Sequence, residues 1–410
     1  MASIRFIHTA DLHLDSPFKG LSHLPEKIIE RIKESTFTAF STVIAKAIEQ
    51  NVDFLLISGD VFDEQHRSVR AQFFLKQQFE RLQEANIQVY MIHGNHDHLA
   101  GKWVKLQYPS NVFTFGSQVD CVVFEKEETK VHLYGFSYPK REVVENVALT
   151  YGKKGKADYH IGLLHGQAEG MSGHYAYAPF SIDDLEQKGF DYWALGHIHQ
   201  FQQLKPTVFY SGNIQGRHRK EQGEKGCLYI ELSDNIMNHS FVETADIIWN
   251  TITVSISSME TEQAFLDELL RVKEQVRRDD GKGVLLHLNV SGNGSLHSLL
   301  HSDDLLEEIM TVVNENEENE QSFCYVTSFE KNTANEWNME TLLEKEDFIG
   351  DFTRVSESFT FCDVENSLTD FLGHPKIRKR MEGWSKQEYE EIRRKAQSLI
   401  LDQLVKEGKG

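Results

Sequence analysis

Three apolar runs, Ile4 to His8, Val52 to Ser58 and Ile87 to Ile92, are separated by stretches of helical periodicity at Phe37 to Gln50 and Ser68 to Asn86, and each run stops at a polar loop. This β-α-β-α-β order constrains the fold most. Right-handed crossovers place three such strands parallel in one sheet, with their carboxyl ends on one edge. Ligand sites of α/β sheets form along that edge. The third run leads into Gly94-Asn95-His96-Asp97. There an amide oxygen can hold a cation, and an imidazole can act as ligand or proton donor. The first leads into Asp11-Leu12-His13, whose carboxylate and imidazole point to the same side of an extended segment. The second ends in Gly59-Asp60-Val61-Phe62-Asp63. Gly59 lets the backbone turn closely, and Asp60 can bridge two cations through its two oxygens. On the helix after it, Phe73, Phe74, Phe79 and Leu82 mark the expected core side.

From Asn111 to Tyr138 the pattern changes to short β-type runs, Val112 to Phe115, Asp120 to Phe124 and Val131 to Phe136, with Glu125 to Lys130 as a solvated hairpin turn. Tyr159 to Leu164 ends at His165-Gly166, and Phe190 to Leu195 ends at Gly196-His197-Ile198-His199. Val208 to Ser211 and Cys227 to Leu232 complete a second sheet. Parallel strands first and antiparallel strands later predict an α/β fold, a β-sandwich flanked by helices. Past residue 245, runs at Thr251 to Ile256, Val284 to Val290 and Ser322 to Phe329 alternate with helical stretches at Glu260 to Arg277 and Leu296 to Val313, as in a small α+β domain. Asn314 to Glu320 reads as a solvated acidic loop. Gly383 to Glu407 reads as a charged helix whose Tyr389, Ile392, Ala396, Ile400 and Leu404 form an apolar face in need of a partner. The expected domains are residues 1–245, 246–335 and 336–410.

The net charge of −20 argues against coating nucleic acid through bulk electrostatics, and the acidic excess lies mainly after residue 245. It leaves room for a nuclease, because bound divalent cations reverse the local field. Cys121, Cys227, Cys324 and Cys362 are far apart and read as reduced structural thiols, without a disulfide framework or zinc knuckle. Met1 to His13 contains no secretory h-region, and no run reaches the ~20 apolar residues of a membrane span. A soluble cytoplasmic protein without membrane attachment is expected.

Five strand ends thus hold Asp11 and His13, Asp60, Asn95 and His96, His165, then His197 and His199. Carboxylate, amide and imidazole donors without thiolate suit manganese, iron or zinc better than an all-oxygen calcium cage. These blocks resemble those of the calcineurin-like metallophosphoesterases. Within that superfamily, the Thr-Ala-Asp-Leu-His opening, Gly-Asp-Val-Phe-Asp and Leu-Gly-His-Ile-His are similar to SbcD-type DNA repair exonucleases. So is Tyr210-Ser211-Gly212-Asn213, followed by Glu224-Lys225-Gly226.

The resemblance covers about residues 1–245. It implies a calcineurin-like four-layer β-sandwich flanked by helices, followed by a smaller α+β capping domain and a C-terminal helical segment. It implies two divalent ions, with manganese expected: Asp11, His13, Asp60 and His199 around one, Asp60, Asn95, His165 and His197 around the other. Two such ions, roughly 3.5 to 4 Å apart, activate a water and clamp a phosphoryl oxygen. His96 is then the acid or transition-state donor at the leaving oxygen, and Asp63 stands where related phosphatases orient that histidine. Some archaeal and eukaryotic repair nucleases carry His at the Asp63 place. A homodimer and an SMC-like ATPase docked on Gly383 to Glu407 are also implied.

DNA exonuclease action is the leading expectation, with Arg217, Arg219 and Lys220 as a basic cluster placed for phosphate contacts. A phosphatase or nucleotide phosphodiesterase would use the same metal chemistry on a small substrate. A scaffold subunit of a repair complex is the non-enzymatic alternative, against which the complete ligand set argues.

Overall fold

The computed structural model describes residues 3–18, 21, 23–63, 68–101, 106–170, 177–233, 236–300, 303–360, 362–363, 366–367, 369, 373 and 385–407. Compact packing divides the chain into a first unit of Met1–Thr251, Val276–His287 and Asn316–Thr327, and a second of Ile252–Gln275, Leu288–Glu315 and Ser328–Gly410.

The first sheet has six strands in the order β12 (Ile236–Glu243), β11 (Gly226–Ser233), β1 (Ile4–Thr9), β2 (Phe54–Ser58), β3 (Gln88–Ile92) and β4 (Val112–Thr114). β1 to β4 run parallel and β11 returns antiparallel to β1. The second sheet follows the order β5 (Asp120–Lys126), β6 (Thr129–Gly135), β7 (Tyr159–His165), β8 (Tyr192–Gly196), β10 (Val208–Tyr210) and β9 (Gln202–Lys205). Its middle strands β6, β7, β8 and β10 are parallel, and β5 and β9 are antiparallel edges.

Alternation along each strand builds the layers. In β2, Phe54 and Leu56 face Leu133, Ile161 and Ala194 of the second sheet. Leu55 and Ile57 face outward against Phe40, Val43 and Ala47 of α1 (Glu26–Glu49) and Leu75, Phe79 and Leu82 of α2 (Val69–Glu84). The outer face of the second sheet, with Trp193, Leu195 and Tyr210, packs on Val147, Ala148, Phe180 and Leu185, the last from α3 (Ile182–Glu186). Each fully buried Val, Leu, Ile or Phe of these layers contributes about 1.5–3 kcal/mol. The result is the mixed α/β, calcineurin-like four-layer sandwich that the resemblance implied.

Several details depart from the sequence reading. α1 begins at Glu26 rather than Phe37, because Ile28 and Ile32 pack on Ile247, Leu285 and Phe323. Arg31 on the same turn pairs with Asp246 at 2.9 Å and lies over the Phe323 ring. Phe73 is 54% exposed. It sits two residues from Leu75 and therefore about 200° around the helix from it. Strands β9 and β12 were not expected. They are edges whose half-polar residues carry little alternation. The acidic loop is not wholly solvated either: Glu317 is buried, with Arg277 NH2 at 2.8 Å and the Cys324 N–H donating to it at 2.7 Å.

A third sheet joins β13 (Ile247–Ser255), β14 (Gly283–Asn293) and β15 (Cys324–Ala334). In the second unit, α4 (Glu262–Val276) buries Phe265, Leu269 and Val272. Of the expected helix at Leu296 to Val313, α5 (His297–Leu300) and α6 (Asp303–Val313) are helical, and residues 301 and 302 lie outside the described residues. Two helices absent from the sequence reading follow, α7 (Met339–Leu343) and α8 (Phe348–Ser358), the latter capped by Asp347, which accepts the Gly350 N–H at 2.9 Å. The final helix α9 runs Lys386–Glu407; residues 383 and 384 of the expected helix lie outside the described residues, as does the Tyr389 side chain. Arg393 donates to the Ser356 carbonyl at 3.0 Å and so ties α9 to α8. Leu401 is buried, whereas Ile400 of the expected apolar face is 45% exposed. No helix among the described residues is long and apolar enough to cross a membrane.

Candidate metal centre

The carboxyl ends of β1, β2, β3, β7 and β8 come together and deliver all the expected donors. The backbone after β1 runs beside that after β2: Asp11 N–H donates to the Gly59 carbonyl at 3.0 Å, and His13 N–H to that of Asp60 at 3.1 Å. The second sheet is joined to them by His197 N–H, which donates to Asp11 Oδ2 at 3.0 Å, and by Ser58 Oγ, which donates to the Ala194 carbonyl at 2.9 Å. To make these turns, Asp11, His13, Asp60 and His197 adopt φ values of 52°, 42°, 52° and 101°. Non-glycine residues at positive φ cost about 1–3 kcal/mol each and gather where function constrains the backbone. Gly94 answers a different need: a Cβ there would overlap Asp60 Oδ1 and lie 2.7 Å from His165 Nε2. Asp97 anchors the same loop, accepting the Gly94 N–H at 2.7 Å and the Val61 N–H at 3.0 Å, with His93 Nδ1 at 3.0 Å.

Two groups of donors converge. In each of the sets Asp11, His13, His199 and Asp11, Asp60, His165, one ligand atom per residue lies within 4.8 Å of the others. His13 Nε2 and His199 Nε2 approach to 3.2 Å. Their opposite nitrogens are already committed: Asp63 Oδ1 lies 2.8 Å from His13 Nδ1, and Glu221 Oε1 lies 2.7 Å from His199 Nδ1. Two facing lone pairs repel unless a cation accompanies them, so this pair fits a metal position. On the other side, Asn95 Oδ1 is 3.0 Å from His165 Nε2 and 3.2 Å from His197 Nδ1. His165 Nδ1 is bonded to the Ser58 carbonyl at 2.9 Å, which turns Nε2 inward. Asp60 stands between the groups, its Oδ2 3.4 Å from His165 Nε2 and 3.8 Å from His13 Nε2. The oxygen and nitrogen donors and the shared carboxylate fit a pair of divalent cations.

Electrostatics suit the same use. Burial lowers His13 and, with His165 beside it, drops His197 to about 3, so both are neutral donors. Burial opposes charge on His165, but Asp60 outweighs it and pushes this imidazole up to about 9; as a metal ligand His165 would have to give up that proton. For Asp60 and Glu221, burial favours the neutral acid but neighbouring histidines win, holding Asp60 well below the usual carboxylate range and Glu221 likewise, with Arg217 assisting.

His96 lies apart from both groups. Its N–H donates to Asp60 Oδ1 at 2.9 Å, its side chain is 37% exposed, and its Nδ1 is 3.5 Å from Asp63 Oδ1. Asp63 therefore sits closer to His13 than to His96, and it also accepts from Ser16 Oγ. Of the basic cluster, Arg217 reaches the site, donating to Ser16 Oγ at 3.1 Å and lying 3.4 Å from both Asp63 and Glu221. Arg219 and Lys220 are exposed. Sequence reading missed Glu221, Ser16 and the anchoring roles of Asp97 and His93. Only Asp97 stood in a motif that could have flagged it.

Residues 4–201 match the calcineurin-like phosphoesterase family, and residues 249–334 match the middle domain of metallophosphoesterase YhaO. The chain is 39% identical over 409 residues to the uncharacterized metallophosphoesterase YhaO of Bacillus subtilis, covering 98% of each chain. It is 28% identical over 260 residues to the DNA double-strand break repair protein Mre11 of Methanocaldococcus jannaschii, covering 59% of this chain and 66% of that one. To the protein of the same name from Sulfurisphaera tokodaii it is 23% identical over 328 residues, 75% of this chain and 78% of the relative. With these matches and this convergence of donors, the chain belongs to the calcineurin-like metallophosphoesterases, metal-dependent phosphoester hydrolases built around a dimetal centre.

Proposed function

We propose that this chain is a dimetal phosphodiesterase acting on DNA, an SbcD-type repair exonuclease that works as a homodimer with an SMC-like ATPase in the cytoplasm. The observation that carries the site is Asp60 within reach of both donor groups, 3.8 Å from His13 and 3.4 Å from His165. Asp11, His13, Asp60 and His199 would hold one ion, and Asp60, Asn95, His165 and His197 the other, with manganese as the proposed ion. When bound, such a pair supplies Lewis acidity and charge neutralisation for in-line attack at phosphorus. His96, outside both donor groups and partly open to solvent, donates a proton or hydrogen bond to the leaving oxygen. Asp63 limits how the His96 and His13 rings turn. Arg219 and Lys220 offer exposed cations to flanking phosphates, with Arg217 adding charge from inside the site.

DNA as substrate is supported by the repair proteins among the relatives. Incubation of labelled single- and double-stranded DNA ends with Mn²⁺ should give chelator-sensitive cleavage, faster than that of cyclic nucleotides or an aryl phosphodiester. Much faster turnover of a small nucleotide would favour the alternative substrate class, and no cleavage of any diester would refute the reading.

The ATPase is proposed to dock on α9 and its neighbour α8, where Leu399 is 67%, Val355 56% and Phe348 69% exposed. Deleting residues 386–407 should abolish capture of the partner while sparing metal content. Unchanged capture would remove α9 from the interface.

A further inference from the structure

We infer that the two metal positions are unequal, and that Glu221, outside the ligand set, makes the position built on His13 and His199 the tighter one. This rests on the ligand assignment proposed above and adds a positioning residue to it.

Both imidazoles of that position have a carboxylate on Nδ1, Asp63 at 2.8 Å from His13 and Glu221 at 2.7 Å from His199. An anion there fixes the tautomer, leaves the Nε2 lone pair for the metal and raises its basicity. The other position has a neutral support instead. His165 Nδ1 meets the Ser58 carbonyl at 2.9 Å, while His197 turns its Nδ1 inward, 3.2 Å from the Asn95 amide oxygen.

Glu221 is itself firmly held. It is buried, and its Oε2 accepts from Asn213 Nδ2 at 3.0 Å and from the Arg217 N–H at 2.8 Å, leaving Oε1 for His199. Arg217 spans the two supporting carboxylates, NH1 3.4 Å from Asp63 Oδ2 and NH2 3.4 Å from Glu221 Oε1. One guanidinium thus offsets the repulsion that two neighbouring anions would otherwise suffer. Its own positive charge opposes metal entry, so the supports must act through the histidines they orient.

Titration of metal-free full-length protein with Mn²⁺, following the free ion by electron paramagnetic resonance, should show two binding steps. Asn95→Ala should remove the weaker. Glu221→Gln preserves shape and an acceptor oxygen but removes the charge. It should weaken the tighter step by about 10–100-fold and leave the other essentially unchanged. If Glu221→Gln fails to fold, Asp63→Asn carries the same expectation through His13. Equal wild-type steps, or a Glu221→Gln protein in which both steps or neither weaken, would overturn the inference. No Mn²⁺ binding by the wild type would instead overturn the ligand assignment.

Discussion

Asp60→Asn is expected to deprive both metal positions of a ligand and to lower phosphodiester hydrolysis by roughly a thousandfold or more. Dimetal charge stabilisation is worth several kcal/mol, and each ~1.4 kcal/mol is a factor of ten. The substituted amide keeps an oxygen that can accept the His96 N–H, now donated to Asp60 Oδ1 at 2.9 Å. Its other atom becomes an N–H donor facing His165 and His13, where the carboxylate oxygen now lies 3.4 and 3.8 Å away. The anion is lost from a carboxylate within reach of histidines of both donor groups. Elemental analysis after gel filtration should therefore find fewer than two ions per chain, and retention of both would refute the bridging role. A pH consequence follows for metal-free protein. The folded-state pKa of Asp60 is depressed, so its contribution to stability is present above the unfolded value of about 4 and lost as pH falls below it. Thermal unfolding of Asp60→Asn should accordingly show a shallower acid limb than the wild type.

The site was more legible in the sequence than its supports, for a physical reason. A parallel strand buried on both faces leaves a largely apolar run, and the polar residues of its carboxyl-end loop follow closely. The candidate donors Asp11, Asp60, Asn95, His165 and His197 all stand within three residues of the end of such runs. Glu221 has no such marker. It lies beside Arg217, His218, Arg219 and Lys220, in a stretch whose charge reads as a basic cluster, and its burial is accompanied by contacts with His199 and Asn213 that are remote or unmarked in the sequence. Glu317 was hidden in the same way among acidic neighbours, because its partner Arg277 is remote in sequence. The start of α1 was obscured at Ser35-Thr36, hydroxyl residues that fit a break by propensity. In the fold they are buried, with Ser35 Oγ donating to the Ile32 carbonyl at 2.7 Å. Half-polar edge strands such as β9 and β12 bury too little on either face to impose a period of two.

The strained turns and the close-packed glycines express one requirement. Donors from separate loops must point inward at once, while their backbones pass nearly in contact. Positive φ at Asp11, His13 and Asp60 turns the first two loops inward, and Gly94 lets the third approach Asp60 and His165 without a Cβ between them. The strain is tolerable because the surrounding bonds over-determine it: the His13 N–H, the His197 N–H and the Asp97 carboxylate each link one loop to another.

His96→Ala should leave both ions in place and reduce kcat by about 10²–10⁴-fold, with little change in KM. The separation of effects follows from geometry. His96 contributes its main-chain N–H to Asp60 at 2.9 Å, which alanine retains, whereas its ring stands outside both converging donor groups. The ring is 5.3 Å from that of His13 and partly open to solvent, where a leaving oxygen could reach it. A proton is needed most when the departing alkoxide is a poor leaving group, as a sugar oxygen of DNA is. The loss should therefore shrink markedly for a nitrophenyl phosphodiester, whose leaving group departs without protonation. Asp63→Asn should reproduce only part of this split, because Asp63 is 3.5 Å from His96 but 2.8 Å from His13, and so acts on metal binding as well. Loss of metal from His96→Ala, or an equal rate loss on both diesters, would remove His96 from the proton-donor role.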